Sequence, residues 1–112
     1  MIKKLYLNGK EITELIIPDS VTNIEAFAFY NCSGLISIII PDSVTSIGSC
    51  AFSCCLGLKN LIIPDSVISI GGQAFYHCEN VETIEVSKNN TVYSAVNNCL
   101  IEKETKTLIF GC

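Results

Sequence analysis

The 112-residue sequence is poor in charge, with Asp, Glu, Lys and Arg making up 16% of it, against about 25% in an ordinary globular protein. Eleven acidic and seven basic side chains leave a formal charge of −4, and neither sign gathers into a block. Without a basic stripe nothing is set to hold a phosphate backbone, so nucleic acid is not an expected partner. Long apolar runs are missing too. The longest, Leu35-Ile36 with Ile38 to Ile40, falls far short of the roughly 20 residues that cross a bilayer, and no membrane span is expected. Lys3 and Lys4 are followed by Asn8, Gly9, Lys10 and Glu11, where a signal peptide needs an apolar stretch of about 7–15 residues. The sequence therefore reads either as a chain not exported by that route or as a piece of a longer one. There is one histidine, no C-x-x-C, no glycine-rich phosphate loop and no nucleophile elbow. The expectation is no enzyme, no metal and no cofactor.

What is present is apolar side chain, 49% of the total, which excludes a disordered tail. A chain of this size has room for one small domain. Its seven cysteines stay below the roughly 8–10% of a disulfide scaffold. Being odd in number, they leave at least one thiol unpaired or paired between chains.

The dominant feature is a repeat. Ile-Pro-Asp-Ser-Val occurs at Ile17–Val21, Ile40–Val44 and Ile63–Val67, and Pro18, Pro41 and Pro64 set a period of 23 residues. At fixed offsets follow an isoleucine (Ile24, Ile47, Ile70), an Ala-Phe pair (Phe29, Phe52, Phe75), a cysteine (Cys32, Cys55, Cys78) and an aliphatic residue (Leu35, Leu58, Val81). A fourth copy begins at Val81, Ile84 and Val86 but has Ser87 in place of proline.

Each unit reads as a short strand over Leu35-x-x-Ile38-x-Ile40, stopped by Pro41, which removes a ladder donor. Asp42-Ser43 is turn chemistry, and Val44-x-x-Ile47 is a second extended stretch. The Ala-Phe-x-x-Cys segment is expected to make one helical or 3₁₀ turn with Phe52 and Cys55 on one side. No single unit can bury its own apolar face. Stacking units at the strand spacing of about 4.8 Å puts like residue on like residue and builds a continuous core.

This pattern, from about Ile12 to Val86, resembles the 23-residue leucine-rich repeat of the BspA-like, or Treponema pallidum, type. The resemblance implies a repeat solenoid, rich in β structure, with a parallel sheet on the concave face. It also implies a non-catalytic module that binds a protein partner, host or extracellular, and a place at the cell surface or in secretion. Two departures stand out: Glu25 replaces the glycine found at Gly48 and Gly71, and the fourth repeat is cut short.

A solenoid needs caps for its strand edges. At the front (1–11), Leu5-Tyr6-Leu7 with Asn8-Gly9 and Lys10 onward predicts a hairpin. The repeats fill 12–86. At the back (87–112), Cys99-Leu100-Ile101, the polar turn Glu102 to Lys106 and Thr107-Leu108-Ile109 predict a second hairpin. The stop at Phe110-Gly111-Cys112 reads as readily as a fragment as a finished end.

Several side chains invite a sharper reading and are expected to be structural. Neighbours one repeat apart in the column Cys32, Cys55, Cys78 fall within disulfide reach, yet the three read as small buried thiols. Adding Cys50, Cys54 and His77 does not make the spaced pairs of a zinc site. His77 varies to Asn31 and Cys54 in the other units and reads as a surface residue. Asp19, Asp42 and Asp65 could ligate calcium as a column, but Asp between Pro and Ser is the expected turn former.

The candidate partner-binding residues are those pointing off the concave sheet: Glu14 and Ile16, Ser37 and Ile39, Asn60 and Ile62, Thr83 and Glu85. Ile16, Ile39 and Ile62 would stack into an apolar strip, and a contiguous stripe marks an interaction site. Against that, β-branched residues favour strands for their own sake, and a cap could cover the strip. The alternative function is a structural segment of a larger solenoid that associates with further copies of itself.

Overall fold

The computed structural model describes residues 6, 7 and 9–111. A first hairpin pairs β1 (Tyr6–Leu7) antiparallel with β2 (Lys10–Glu11). Leu5 and Asn8, named for this hairpin from the sequence, lie outside the described residues. The repeats then wind as about three coils, each with two strands. The first strands are β3 (Glu14–Ile16), β5 (Ser37–Ile39), β7 (Asn60–Ile63) and β9 (Thr83–Val86). They form a four-stranded parallel sheet in the order β3-β5-β7-β9. The second strands are β4 (Asn23–Ile24), β6 (Ser46–Ile47) and β8 (Ser69–Ile70), a three-stranded parallel sheet.

Register follows the sequence period without slippage. Leu15 faces Ile38, Ile16 faces Ile39, and Ile24, Ile47 and Ile70 align across the second sheet. Alternation along each strand then sorts the side chains: Ile38, Leu61 and Ile84 turn inward and are buried. The prolines close i to i+3 turns, the amides of Val21, Val44 and Val67 donating to the carbonyls of Pro18, Pro41 and Pro64. Asp19, Asp42 and Asp65 sit in those turns, as their flanking Pro and Ser require.

The Ala-Phe-x-x-Cys segments are not helical, and no helix occurs among the described residues. They are runs of turns whose amides alternate in direction. Those of Phe27, Phe29 and Asn31 donate to Ser49, Ala51 and Ser53 of the next coil at 3.0, 2.8 and 2.9 Å. Those of Ala28, Tyr30 and Cys32 donate to the residue three back. A helix would turn every amide along its own axis and forfeit the bonds between coils. The geometry needs a left-handed residue twice per coil, at Phe27 and Asn31, Cys50 and Cys54, Gln73 and His77, with φ of 57–62°. Each such residue costs about 1–2 kcal/mol, offset by cross-coil hydrogen bonds of about 0.5–1.5 kcal/mol apiece and by aromatic burial.

Phe29, Phe52 and Phe75 stack at 5.4 and 5.6 Å with rings within 7° of parallel. Offset aromatic contact of this kind adds about 0.5–1.5 kcal/mol per pair beyond the area buried. The glycine column has an equally local cause. A Cβ on Gly48 would come within 2.5 Å of the Ala26 amide nitrogen, and one on Gly71 would strike the backbone of Ser49. Glu25 holds the same position one coil earlier, and its carbonyl carbon lies 2.7 Å from where a Cβ on Gly48 would sit.

Beyond the repeats, β10 (Tyr93–Val96), β11 (Cys99–Glu102) and β12 (Thr107–Gly111) form a three-stranded antiparallel sheet. The predicted hairpin is its β11-β12 half; β10 is the addition. This sheet plugs the columns with side chains. Phe110 continues the phenylalanine stack at 5.6 Å from Phe75. Asn90, fully buried, donates to the carbonyls of Pro64 and Val67 and accepts from the amides of Val92 and Tyr93. Asn98 Oδ1 accepts the edge amide of Ile84, and the Tyr93 hydroxyl accepts that of Ile70.

Candidate functional site

The outward face of the four-stranded sheet carries two columns at the positions named from the sequence. The first holds Glu14, Ser37, Asn60 and Thr83, in register along the sheet. Ser37 Oγ donates to the Glu14 carboxylate at 3.1 Å and Thr83 Oγ1 donates to Asn60 Oδ1, so these polar groups are tied to one another across the strands. The second column holds Ile16, Ile39 and Ile62, which stay 64%, 50% and 55% exposed. Glu85 follows Ile62 in register and ends the strip. The structure thus brings all eight residues onto one open face.

Two clefts flank the strip and meet at Ile39. One, about 330 Å³, lies between Glu14, Ser37, Asn60, Thr83 and Glu85 on the polar side. The other, about 520 Å³, runs between Ile16, Ile39, Asp19 and Asp42. The aspartates were legible from the sequence only as turn formers. Their place beside the strip follows from the turn that each proline begins three residues or fewer after the isoleucine. Magnitudes decide what the strip can do alone. At roughly half exposure, three isoleucines retain about 2.5–5 kcal/mol of burial, and association costs about 4–15 kcal/mol. The polar border must contribute to any stable complex.

The other candidate groups lie outside these two clefts. Cys32, Cys55 and Cys78 are buried and not in disulfides. Cys55 and Cys78 donate to the carbonyls of Phe29 and Phe52 in the coil before, at 3.3 and 3.0 Å. Contact with the Cys78 thiol, then burial, push the Cys55 thiol far up, so it stays protonated at neutral pH. Cys50 and Cys54 are likewise not in disulfides and are half-buried, Cys99 is disulfide-bonded, and Cys112 lies outside the described residues. His77 is at the surface, with Nδ1 3.1 Å from Glu79 Oε1. No group of three metal-ligating side chains assembles among the described residues. No described helix is long and apolar enough to cross a membrane.

The profile of the BspA type leucine-rich repeat region matches residues 1–110 in six copies, so the match runs into both end segments. Among solved structures, a leucine-rich cell surface protein of Faecalibacterium prausnitzii A2-165 is 33% identical with a TM-score of 0.80, over 90% of this chain and 27% of that one. The pneumococcal vaccine antigen PcpA is 25% identical with a TM-score of 0.82, over 88% of this chain and 25% of that one. The Treponema pallidum leucine-rich repeat protein is 35% identical with a TM-score of 0.60, over 62% of this chain and 32% of that one. The chain therefore spans about a quarter to a third of the length of these relatives. No curated protein matches it significantly. With coils in 23-residue register and a repeat profile running almost end to end, the chain belongs to the BspA-type leucine-rich repeat family.

Proposed function

We propose that the chain is a non-catalytic protein-interaction module that serves adhesion at a cell surface, with the outward face of the four-stranded sheet as its recognition surface. The observation that carries this reading is the isoleucine strip, three aligned apolar side chains left at least half exposed. A packed stack has no structural need for them, since Ile38, Leu61 and Ile84 already supply the inward face of the same strands. Support for the location comes from the relatives, one described as a cell surface protein and another as a vaccine antigen. The partner is a host or other extracellular protein.

Ile39→Glu tests the reading. Partner capture should be abolished while the thermal midpoint stays nearly unchanged, because the side chain is outside the core. A loss of several degrees in the midpoint would assign Ile39 to the core and overturn it. The second reading, a self-associating segment of a longer solenoid, is favoured by the small share of its relatives that the chain spans. Light scattering on size-exclusion fractions in reducing buffer separates the two. A concentration-dependent dimer that Ile39→Glu dissolves supports self-association, and a monomer at every concentration supports a foreign partner.

A further inference from the structure

We infer that the partner segment bound on the isoleucine strip is basic: a stretch of polypeptide that presents apolar side chains flanked by Lys or Arg. This rests on the interaction reading above and adds the chemistry of what is bound. The strip is bordered by carboxylates on three sides. Glu14 stands two residues before Ile16 along β3, on one side; Asp19 and Asp42 line the cleft on the other; Glu85 takes the place of the next isoleucine at the end. None of these four is in an ion pair among the described residues. Among the described residues neither cleft is lined by Lys, Arg or His, and Lys59, just before β7, borders neither. Three unpaired carboxylates and one held only by the Ser37 hydroxyl thus surround an apolar stripe whose own burial falls short of the cost of association.

A border of one charge sign selects partners more than it tightens them. It steers an oppositely charged segment toward the strip and penalises a like-charged one, because an acidic residue placed there meets uncompensated charge. An acidic or purely apolar segment has no counterpart for Glu85 or Asp42. A basic one pairs with them while its apolar side chains cover Ile39 and Ile62.

Fluorescence anisotropy with three labelled peptides of equal length tests this, leucine held constant and the polar positions all Lys, all Ser or all Glu. The Lys peptide should bind at least about tenfold more tightly than the Ser peptide, and the Glu peptide most weakly. The preference should shrink as salt rises from about 0.05 M to about 0.5 M. Glu85→Lys, on an exposed strand position, should erase most of it. Asp42→Asn, which retains turn chemistry, should reduce it by a smaller factor. Equal binding of the three peptides, or no binding of any, overturns the inference. Charge-independent binding that Ile39→Glu abolishes leaves the recognition surface in place and removes only its basic preference. Binding that Ile39→Glu leaves unchanged overturns both.

Discussion

The repeat coils and the C-terminal sheet fill the same columns with different chain geometry. In the coils, each column is one residue type carried forward by 23 residues, as in the nearly parallel rings of Phe29, Phe52 and Phe75. In the C-terminal segment the same columns are met by residues that do not carry the coil's geometry forward. Phe110 reaches the phenylalanine stack from an antiparallel strand and tilts by 40° to do so. Asn90 stands 23 residues after Val67 and Tyr93 stands 23 after Ile70, but each supplies side-chain hydrogen bonds where a further coil would supply backbone. A column is therefore a demand of packing and hydrogen bonding. The repeat is one way of meeting it and the cap is another.

If that is right, interior and cap positions of one column differ in the size of the loss. Phe52→Ala removes a fully buried ring stacked on both faces and should cost about 3–5 kcal/mol. Phe110→Ala, contacted by one ring and partly exposed, should cost about half as much. Equal losses in denaturant unfolding would mean that the cap is as tightly built as the coils. Asn90→Ala strips partners from two carbonyls and two amides at a buried position and should cost about 2–3 kcal/mol. A loss below about 0.5 kcal/mol would show that water replaces the side chain there.

The smallest effect is electrostatic. Burial, with a smaller push from the Glu102 carboxylate, raises the Tyr93 hydroxyl above its ordinary value. The group holds its proton more tightly folded than unfolded. Its contribution is complete below the ordinary value of 10.0 and is lost as pH climbs beyond it. Stability should fall by up to about 1.4 kcal/mol per pH unit there. Tyr93→Phe should cost about 1 kcal/mol near neutrality, by leaving the Ile70 amide without its acceptor, and should flatten the alkaline slope. An unchanged slope would place the Tyr93 hydroxyl in water.

Much of this molecule was legible before any coordinates. The spacing of Pro18, Pro41 and Pro64 sets the coil length, and period-two alternation sorts Ile38 from Ile39, because neighbouring side chains on a strand must face opposite ways. The eight positions of the open face followed from the same rule. The turn ladder did not. Ala-Phe-x-x-Cys has a helix-compatible spacing, and only the neighbouring coil, which takes every second amide, makes a run of turns the better solution. Nor did the partners of Phe75, Ile70 and Val67 at the C-terminal end, since Phe110 falls off the 23-residue period, and Tyr93 and Asn90, though on it, differ in type from the residues they follow.

By itself the sequence determined the number of coils, their register and which face each strand residue takes, since these depend on local alternation and a constant period. Tertiary structure alone decided three things. It set Asp19 and Asp42 beside the isoleucine strip, turned the Cys55 and Cys78 thiols onto the carbonyls of the coil before, and brought Gly48 and Gly71 against the backbone of the preceding coil, where no Cβ fits. The reason is common to all three: each depends on what lies one coil away, about 4.8 Å in space but 23 residues along the chain.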